Sequence, residues 1–270
     1  MRIIEQTNRR LDELDRDGME LPRAAPARQR GFAVLDLDRL AASGHVVPSQ
    51  PRTLVAEEFR YIKRPLLRNA RSADAAASRS GLIAVTSAVS GEGKTFSAIN
   101  LAMSLSMEID TSVLLVDADV LRPDLLGRLG VAPRPGLLDL LADPGLVLDD
   151  VVLDTNVPKL SLLPAGTCTG VATEWMASEA MGSLLVDLAR AAPRRLVVFD
   201  APPLLMTNEA KVLASRVGQV VLVVEASRTP RSVVAAAFNE LQKCPAVMSL
   251  LNKAPDRSAH LGYGYGYGEN

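Results

Sequence analysis

The 270-residue sequence holds two cysteines, two histidines and no apolar run as long as the ~18 residues a membrane-spanning helix needs. Each shortage excludes something. Cys168 and Cys244 have no ligand spacing and fit a reducing compartment as two buried thiols, not a disulfide framework. His45 and His260 lack the partners of a metal site and read as surface residues. The stretch from Met1 to Glu20 is charged throughout, unlike a secretory signal. A formal net charge of -1 gives no reason to expect nucleic acid. Together these absences predict a soluble, cytoplasmic chain that reaches a membrane only through a partner.

What is present is a phosphate cradle. Leu82-Ile83-Ala84-Val85-Thr86 is an apolar run, Ala88-Val89-Ser90-Gly91-Glu92-Gly93-Lys94-Thr95 is a glycine-rich turn, and Phe96 to Met103 has helical spacing. A strand, such a turn and a helix N-terminus aim backbone N–H groups and the helix dipole at one anion. This is a P-loop. It predicts ATP contacts from Ser90, Gly91, Glu92, Gly93, Lys94, Thr95 and Phe96, with Lys94 reaching the β- and γ-phosphates and the Thr95 hydroxyl holding Mg²⁺. Without nucleotide, the Lys94 side chain is expected to face solvent. The first position of the usual G-x-x-x-x-G-K-[ST] pattern is Ala88, which requires negative φ there.

From Gly81 onward, Val/Leu runs alternate with helical patterns. Strands are expected at Leu82–Thr86, Val113–Val116, Leu160–Leu163, Leu196–Phe199, Val220–Val224 and Val247–Leu251. Helices are expected at Lys94–Met107, Pro123–Leu129, Leu137–Leu141, Ala172–Ala191, Asn208–Ser215 and Ser232–Gln242. The alternation predicts an α/β fold, a doubly wound and mostly parallel sheet that binds ligands at the carboxyl ends of its strands. Ahead of it, Thr53–Asn69 predicts a helix with Thr53 as N-cap and Pro65 as a kink or early stop. Its charged face is either solvated or a subunit contact. The chain thus divides into a partly ordered arm (1–52), a P-loop domain (53–254) opened by that helix (53–69), and a flexible tail (255–270). The arm carries a thin apolar stripe at Ile4, Leu11 and Leu14 and an apolar alternation from Phe32 to Leu37. The tail reads Gly262-Tyr263-Gly264-Tyr265-Gly266-Tyr267-Gly268 and holds all but one of the 4 tyrosines. Such Gly-Tyr repeats are either a low-complexity end or a functional one.

Two acidic motifs complete the chemistry. Leu114-Leu115-Val116-Asp117-Ala118-Asp119 places two carboxylates one residue apart at a strand tip, on the same side of the extended chain. Beside a P-loop, one can help hold the metal while the other accepts a proton. Leu196-Val197-Val198-Phe199-Asp200, followed by Ala201-Pro202-Pro203, is a Walker B arrangement in which Asp200 orients Mg²⁺. Asn252, at the end of the last strand, is a candidate for reading the adenine edge through its amide.

These segments resemble the bacterial protein-tyrosine autokinases (BY-kinases), P-loop NTPases of the deviant Walker, SIMIBI-like class. The likeness runs from about Thr53 to the tail and is greatest to the cytoplasmic form associated with exosortase and exopolysaccharide clusters. It rests on Glu57 to Leu67, Asp117-Ala118-Asp119-Val120-Leu121-Arg122-Pro123 and Leu160 to Gly166 as well as on the motifs above. The resemblance implies a non-specific protein-tyrosine kinase that uses ATP and Mg²⁺, with Lys94, Asp117, Asp119 and Asp200 catalytic and Thr95, Asp117 and Asp200 at the metal. Tyr263, Tyr265 and Tyr267 match the acceptor cluster. Arg122 matches the second of the family's two phosphate-contacting arginines, Leu121 replacing the first. The E-x-x-R-x-x-R subunit motif appears as Glu57, Arg60 and Lys63, and Arg64 is an alternative to that lysine. A carboxylate would serve as base to the phenol, and either Asp117 or Asp119 is placed for it. The eukaryotic kinase signatures H-R-D and D-F-G are absent.

The resemblance further implies a ring-like homo-oligomer loosened by phosphorylation, with tails modified by neighbouring subunits. A separate transmembrane polysaccharide co-polymerase would act as activator and recruit the chain to the inner face of the membrane. A cognate phosphotyrosine phosphatase would reverse the modification, and the process would regulate exopolysaccharide synthesis or export. The alternative is an ATP-switched partitioning or septum-positioning ATPase without kinase activity. Those proteins carry an extra lysine in K-G-G-x-G-K-T, and the matching position here is Val89.

Overall fold

Continuous Val/Leu runs bury both faces of a strand, which a parallel sheet with helices on each side provides. A computed structural model describes residues 30–72, 79–167, 170–190 and 194–255. The N-terminal stripe, Cys168, His260 and the tail tyrosines Tyr263, Tyr265 and Tyr267 lie outside the described residues.

The described strands are β1 (Gly31–Ala33), β2 (Leu82–Ser87), β3 (Ser112–Asp117), β4 (Leu153–Thr155), β5 (Leu160–Leu163), β6 (Arg195–Asp200), β7 (Gln219–Glu225) and β8 (Ala246–Asn252). The helices are α1 (Leu37–Ala42), α2 (Leu54–Ala70), α3 (Lys94–Ser106), α4 (Leu125–Leu129) and α5 (Leu137–Ala142), followed by α6 (Leu148–Val151), α7 (Ala172–Ala177), α8 (Glu179–Arg190), α9 (Asn208–Arg216) and α10 (Arg231–Glu240). The strands form one sheet in the order β1-β4-β5-β3-β6-β2-β7-β8. All neighbours are parallel except β4 and β5. Leu114, Val116, Val197 and Phe199 face one core with α7, α8 and α9. Leu115, Val198, Val221 and Val223 face the other with α2 and α3.

The arm departs from the division at residue 52. Residues 30–52 belong to the packed body: β1 pairs with β4 at the sheet edge, and Leu35, Leu40, Val46 and Val47 are buried in the α3-side core. Asn156 clasps this segment, its Oδ1 accepting from Leu35 N at 2.8 Å and its Nδ2 donating to Leu35 O at 3.0 Å. The apolar alternation docks on the chain's own sheet. His45 is half-buried instead of superficial, its ring centroid 4.9 Å from that of Phe96. Cys244 is also only half-buried.

Thr53 caps α2 through Oγ1, which accepts from Ala56 N at 3.2 Å. Pro65 neither stops the helix nor shortens it, since α2 continues to Ala70. The carbonyl that loses its N–H partner belongs to the exposed Tyr61, while Phe59, Leu66 and Leu67 are buried, at ~1.5–3 kcal/mol per fully buried side chain. The long helix expected from Ala172 is instead two. Ser178 is extended, its Oγ accepts from Met181 N at 3.2 Å, and Arg216 holds the Ala177 and Ser178 carbonyls, so a cap and a tertiary contact break the helix.

Candidate active site

The loop from β2 to α3, the segments that follow β3 and β6, and the end of β8 converge on a cavity of about 970 Å³. Gly91 and Gly93 have φ of 91° and 97°. At Gly93 a Cβ would stand 2.1 Å from Asn252 Nδ2, so glycine is required twice over. Ala88 is fully buried and is not among the non-glycine residues at positive φ, so alanine is tolerated there.

Glu92 departs from its expected role. It is 1% exposed and does not line the cavity. Its carboxylate accepts from Val89 N at 2.8 Å, Glu225 N at 3.3 Å and the Thr229 hydroxyl, bracing the loop against the end of β7. Asn252 Nδ2 donates to Glu92 O at 2.8 Å and Lys253 Nζ to Gly91 O at 2.7 Å. Asn252 thus lines the cavity with one of its two amide N–H groups engaged on the loop.

Lys94 is folded back onto acids instead of facing solvent. Its Nζ lies 2.7 Å from Asp119 Oδ2 and 4.0 Å from Asp200 Oδ1. Asp117 and Asp200 are paired in register across β3 and β6, and each keeps a buried Oδ1 without a hydrogen-bond partner. Desolvation, then the neighbouring Asp200 charge, pushes Asp117 up to about 8. Desolvation also raises Asp200, to about 6, although the Lys94 charge and a Thr95 hydrogen bond pull the other way. Burial by itself would lower the Lys94 amine, but Asp200, Asp119 and Asp117 outweigh it and the net shift is upward.

Asp117 and Asp119 do not share a side as the strand spacing predicts. β3 ends at Asp117, Ala118 N is held by Asp200 O at 2.9 Å, and only Asp119 lines the large cavity. Ser90, Gly91, Gly93, Lys94, Thr95, Phe96, Arg122 and Asn252 line it with Asp119. Sequence reasoning missed Asp124, Arg128, Pro203, Met206, Thr207 and Lys253, which come from three separate segments. The i,i+4 spacing of Asp124 and Arg128 was the one available signal; they pair at 2.6 Å.

The oligomer motif is divided. Glu57 and Arg60 pair at 2.7 Å on the outer face, where the Arg64 guanidinium lies 5.1 Å over the Tyr61 ring. Lys63 points inward, 6% exposed, donating to Ser104 O at 2.6 Å and pairing with Glu108 at 2.9 Å. It is not available as a surface contact, because its position on α2 faces α3.

No family model matches the chain. The tyrosine-protein kinase YwqD of Bacillus subtilis is 27% identical over 221 residues, covering 82% of this chain and 90% of YwqD. The kinase domain of VpsO superposes with a TM-score of 0.60 at 28% identity, covering 75% of this chain and all of that one. The chain belongs to the bacterial tyrosine-protein kinases. A further family relative, the succinoglycan biosynthesis transport protein ExoP of Rhizobium meliloti, is 33% identical over 192 residues, or 70% of this chain but 23% of ExoP. The chain therefore spans about a quarter of that relative. McdA of Cyanothece shares the fold alone, at 22% identity and TM-score 0.52 over 63% of this chain and 71% of that one. No described helix is long and apolar enough to cross a membrane.

Proposed function

We propose that the chain transfers the γ-phosphoryl group of ATP to tyrosine hydroxyls, its own Tyr263, Tyr265 and Tyr267 among them. The observation that carries this reading is Lys94 held among Asp119, Asp117 and Asp200 at the carboxyl end of a kinase-family sheet. In the transfer a bond forms between the phenolic oxygen and the γ-phosphorus, the bond to the β-phosphate bridging oxygen breaks, and ADP leaves. The phenolic proton passes to a carboxylate. Asp117 suits that role, because a base raised to about 8 is better matched to a phenol near 10 than an ordinary carboxylate. Lys94 leaves Asp119 for the β- and γ-phosphates and offsets the charge developing there.

Among the described residues no cluster of three His, Cys, Asp or Glu side chains forms a ready metal site. The Thr95 hydroxyl and the unpartnered Oδ1 of Asp200 nevertheless suit a hard cation that takes its remaining ligands from phosphate and water, which leaves Asp117 to act as the base. Mg²⁺ bound there would neutralise phosphate charge.

The proposed setting is the cytoplasmic face of a membrane. There a separate polysaccharide-transport protein recruits and activates a ring of this chain, phosphorylation loosens the ring, and a phosphotyrosine phosphatase resets it. The relation to ExoP supports the link to exopolysaccharide export. The test is phosphosite mapping after incubation with Mg²⁺ and ATP. Phosphate on Tyr263, Tyr265 and Tyr267, absent from Lys94→Ala, is expected. ATP hydrolysis without phosphotyrosine would instead identify an ATPase switch.

A further inference from the structure

Arg39, on α1, and His45, shortly after it, do not line the large cavity, yet each holds an element that does. α4 has five residues, too few to stand without tertiary support, and with its N-cap Asp124 it carries Arg128 onto the cavity. The Arg128 carbonyl lies in the last turn, where no intrahelical partner is left for it, and Arg39 Nη2 donates to that oxygen at 2.9 Å. Gly130 makes room for the guanidinium: it caps α4 at φ 75°, and a Cβ there would stand 2.6 Å from Arg39 Nη2. At the start of α3, the His45 ring is tilted by 52° against the Phe96 ring, with 4.9 Å between centroids. The next residue locks this contact, Val46 N donating to Asn100 Oδ1 at 2.6 Å while Asn100 Nδ2 donates to Phe96 O at 2.9 Å. His45 Nδ1 lies 3.0 Å from Ser43 Oγ, and its buried Nε2 has no partner. A ring kept in place at that polar cost contributes through its aromatic face.

We propose that His45 and Arg39 are positioning residues of the nucleotide site: His45 fixes the Phe96 ring against the nucleoside of ATP, and Arg39 fixes α4 beside it. The inference rests on the ATP-binding part of the reading above and not on the identity of the acceptor. In that reading Lys94 and Thr95, the two residues before Phe96, are directed at the phosphates and the metal. Among the described residues Phe96 is the one aromatic side chain lining the cavity, so it meets the uncharged, planar part of the nucleotide. An aromatic platform binds best when it is already held, because a ring free to turn loses rotamer freedom as the ligand arrives. His45 supplies that restraint from a segment outside the P-loop. The chain ahead of Thr53 is thereby part of the nucleotide site, and nucleotide affinity depends on its docking.

The test uses the full chain and compares ATP with tripolyphosphate, which carries the phosphates but no nucleoside. Calorimetry on His45→Ala is expected to show ATP binding weakened about five-fold or more, with tripolyphosphate within about two-fold of wild type. His45→Phe keeps an aromatic face and should restore ATP affinity to within about two-fold. With a synthetic peptide of the sequence from Gly262 to Gly268 as acceptor, His45→Ala should raise KM for ATP and leave kcat within about two-fold, since Lys94 and the acids are untouched. Arg39→Ala breaks an exposed hydrogen bond, so it is expected to fold whatever His45→Ala does, and should weaken ATP binding about three-fold or more. Unchanged ATP affinity in either folded variant, or an equal loss of ATP and tripolyphosphate affinity in His45→Ala, would overturn the inference. Binding is read without turnover, so a wild type that binds ATP but makes no phosphotyrosine would overturn the kinase reading alone, and the affinities would still decide the inference.

Discussion

Lys94 and Asp119 form a 2.7 Å ion pair whose side chains are 14% and 9% exposed. The amine compensates Asp119, Asp200 and Asp117, so its loss is expected to be felt by the fold as well as by the proposed phosphotransfer.

Lys94→Ala is therefore expected to abolish phosphotransfer and to lower the stability of the nucleotide-free protein by about 3 kcal/mol at pH 8. At pH 5 the loss should be smaller, because Asp117 and Asp200, raised to about 8 and 6, are then largely protonated. Urea unfolding at both pH values checks this. Equal losses at the two would mean that Lys94 does not compensate the buried acids.

The acids also set a pH dependence. Both groups are raised above the ordinary 3.8, so their contribution to stability is full below that value and is lost as pH rises towards 6 for Asp200 and 8 for Asp117. The nucleotide-free protein should lose stability between pH 4 and 8. Asp117→Asn keeps an acceptor for Leu125 N and should flatten that slope, gaining on the order of a few kcal/mol at pH 7.5. Thermal melts across this range decide it; a variant with the wild-type slope would place the titration elsewhere.

Glu92 holds the phosphate loop through one buried carboxylate. Glu92→Ala strands the N–H groups of Val89 and Glu225 and should cost about 2–3 kcal/mol, with weaker ATP binding as a consequence. Calorimetry on the nucleotide-free and ATP-titrated variant measures both. Weaker binding at unchanged stability would make Glu92 a ligand contact after all.

Lys63 and Arg60 should behave oppositely. Lys63→Ala removes a buried amine from Ser104 O and Glu108 and is expected to cost about 2–4 kcal/mol in the isolated subunit. Arg60→Ala breaks a half-exposed pair and should cost less than about 1 kcal/mol. If the outer face of α2 joins subunits, Arg60→Ala will also reduce labelling of a full-length Lys94→Ala protein by an active chain truncated after Pro255. No label on that inactive partner at any concentration would mean that each tail serves its own site.

The β2 to α3 cradle was legible because strand, glycine turn and helix cap are contiguous, and Gly91 and Gly93 do occupy positive φ. Six strands were readable from their unbroken apolar runs. β1 and β4, three residues each, were not, because strands so short carry no pattern of their own and are defined by pairing, β1 with β4 and β4 with β5, at the sheet edge.

By itself the sequence determined which residue types gather around the glycine-rich cradle, since the cradle is local and Lys94, Thr95, Asp117 and Asp200 lie at the ends of elements that its hydrophobic pattern delimits. Tertiary structure alone decided which way each charge points. Glu92 turned into the body, Lys63 onto α3, Lys94 onto Asp119, and Asp117 away from the cavity that Asp119 lines. The direction of a charged side chain depends on partners and desolvation supplied by segments distant along the chain, and periodicity carries no record of those.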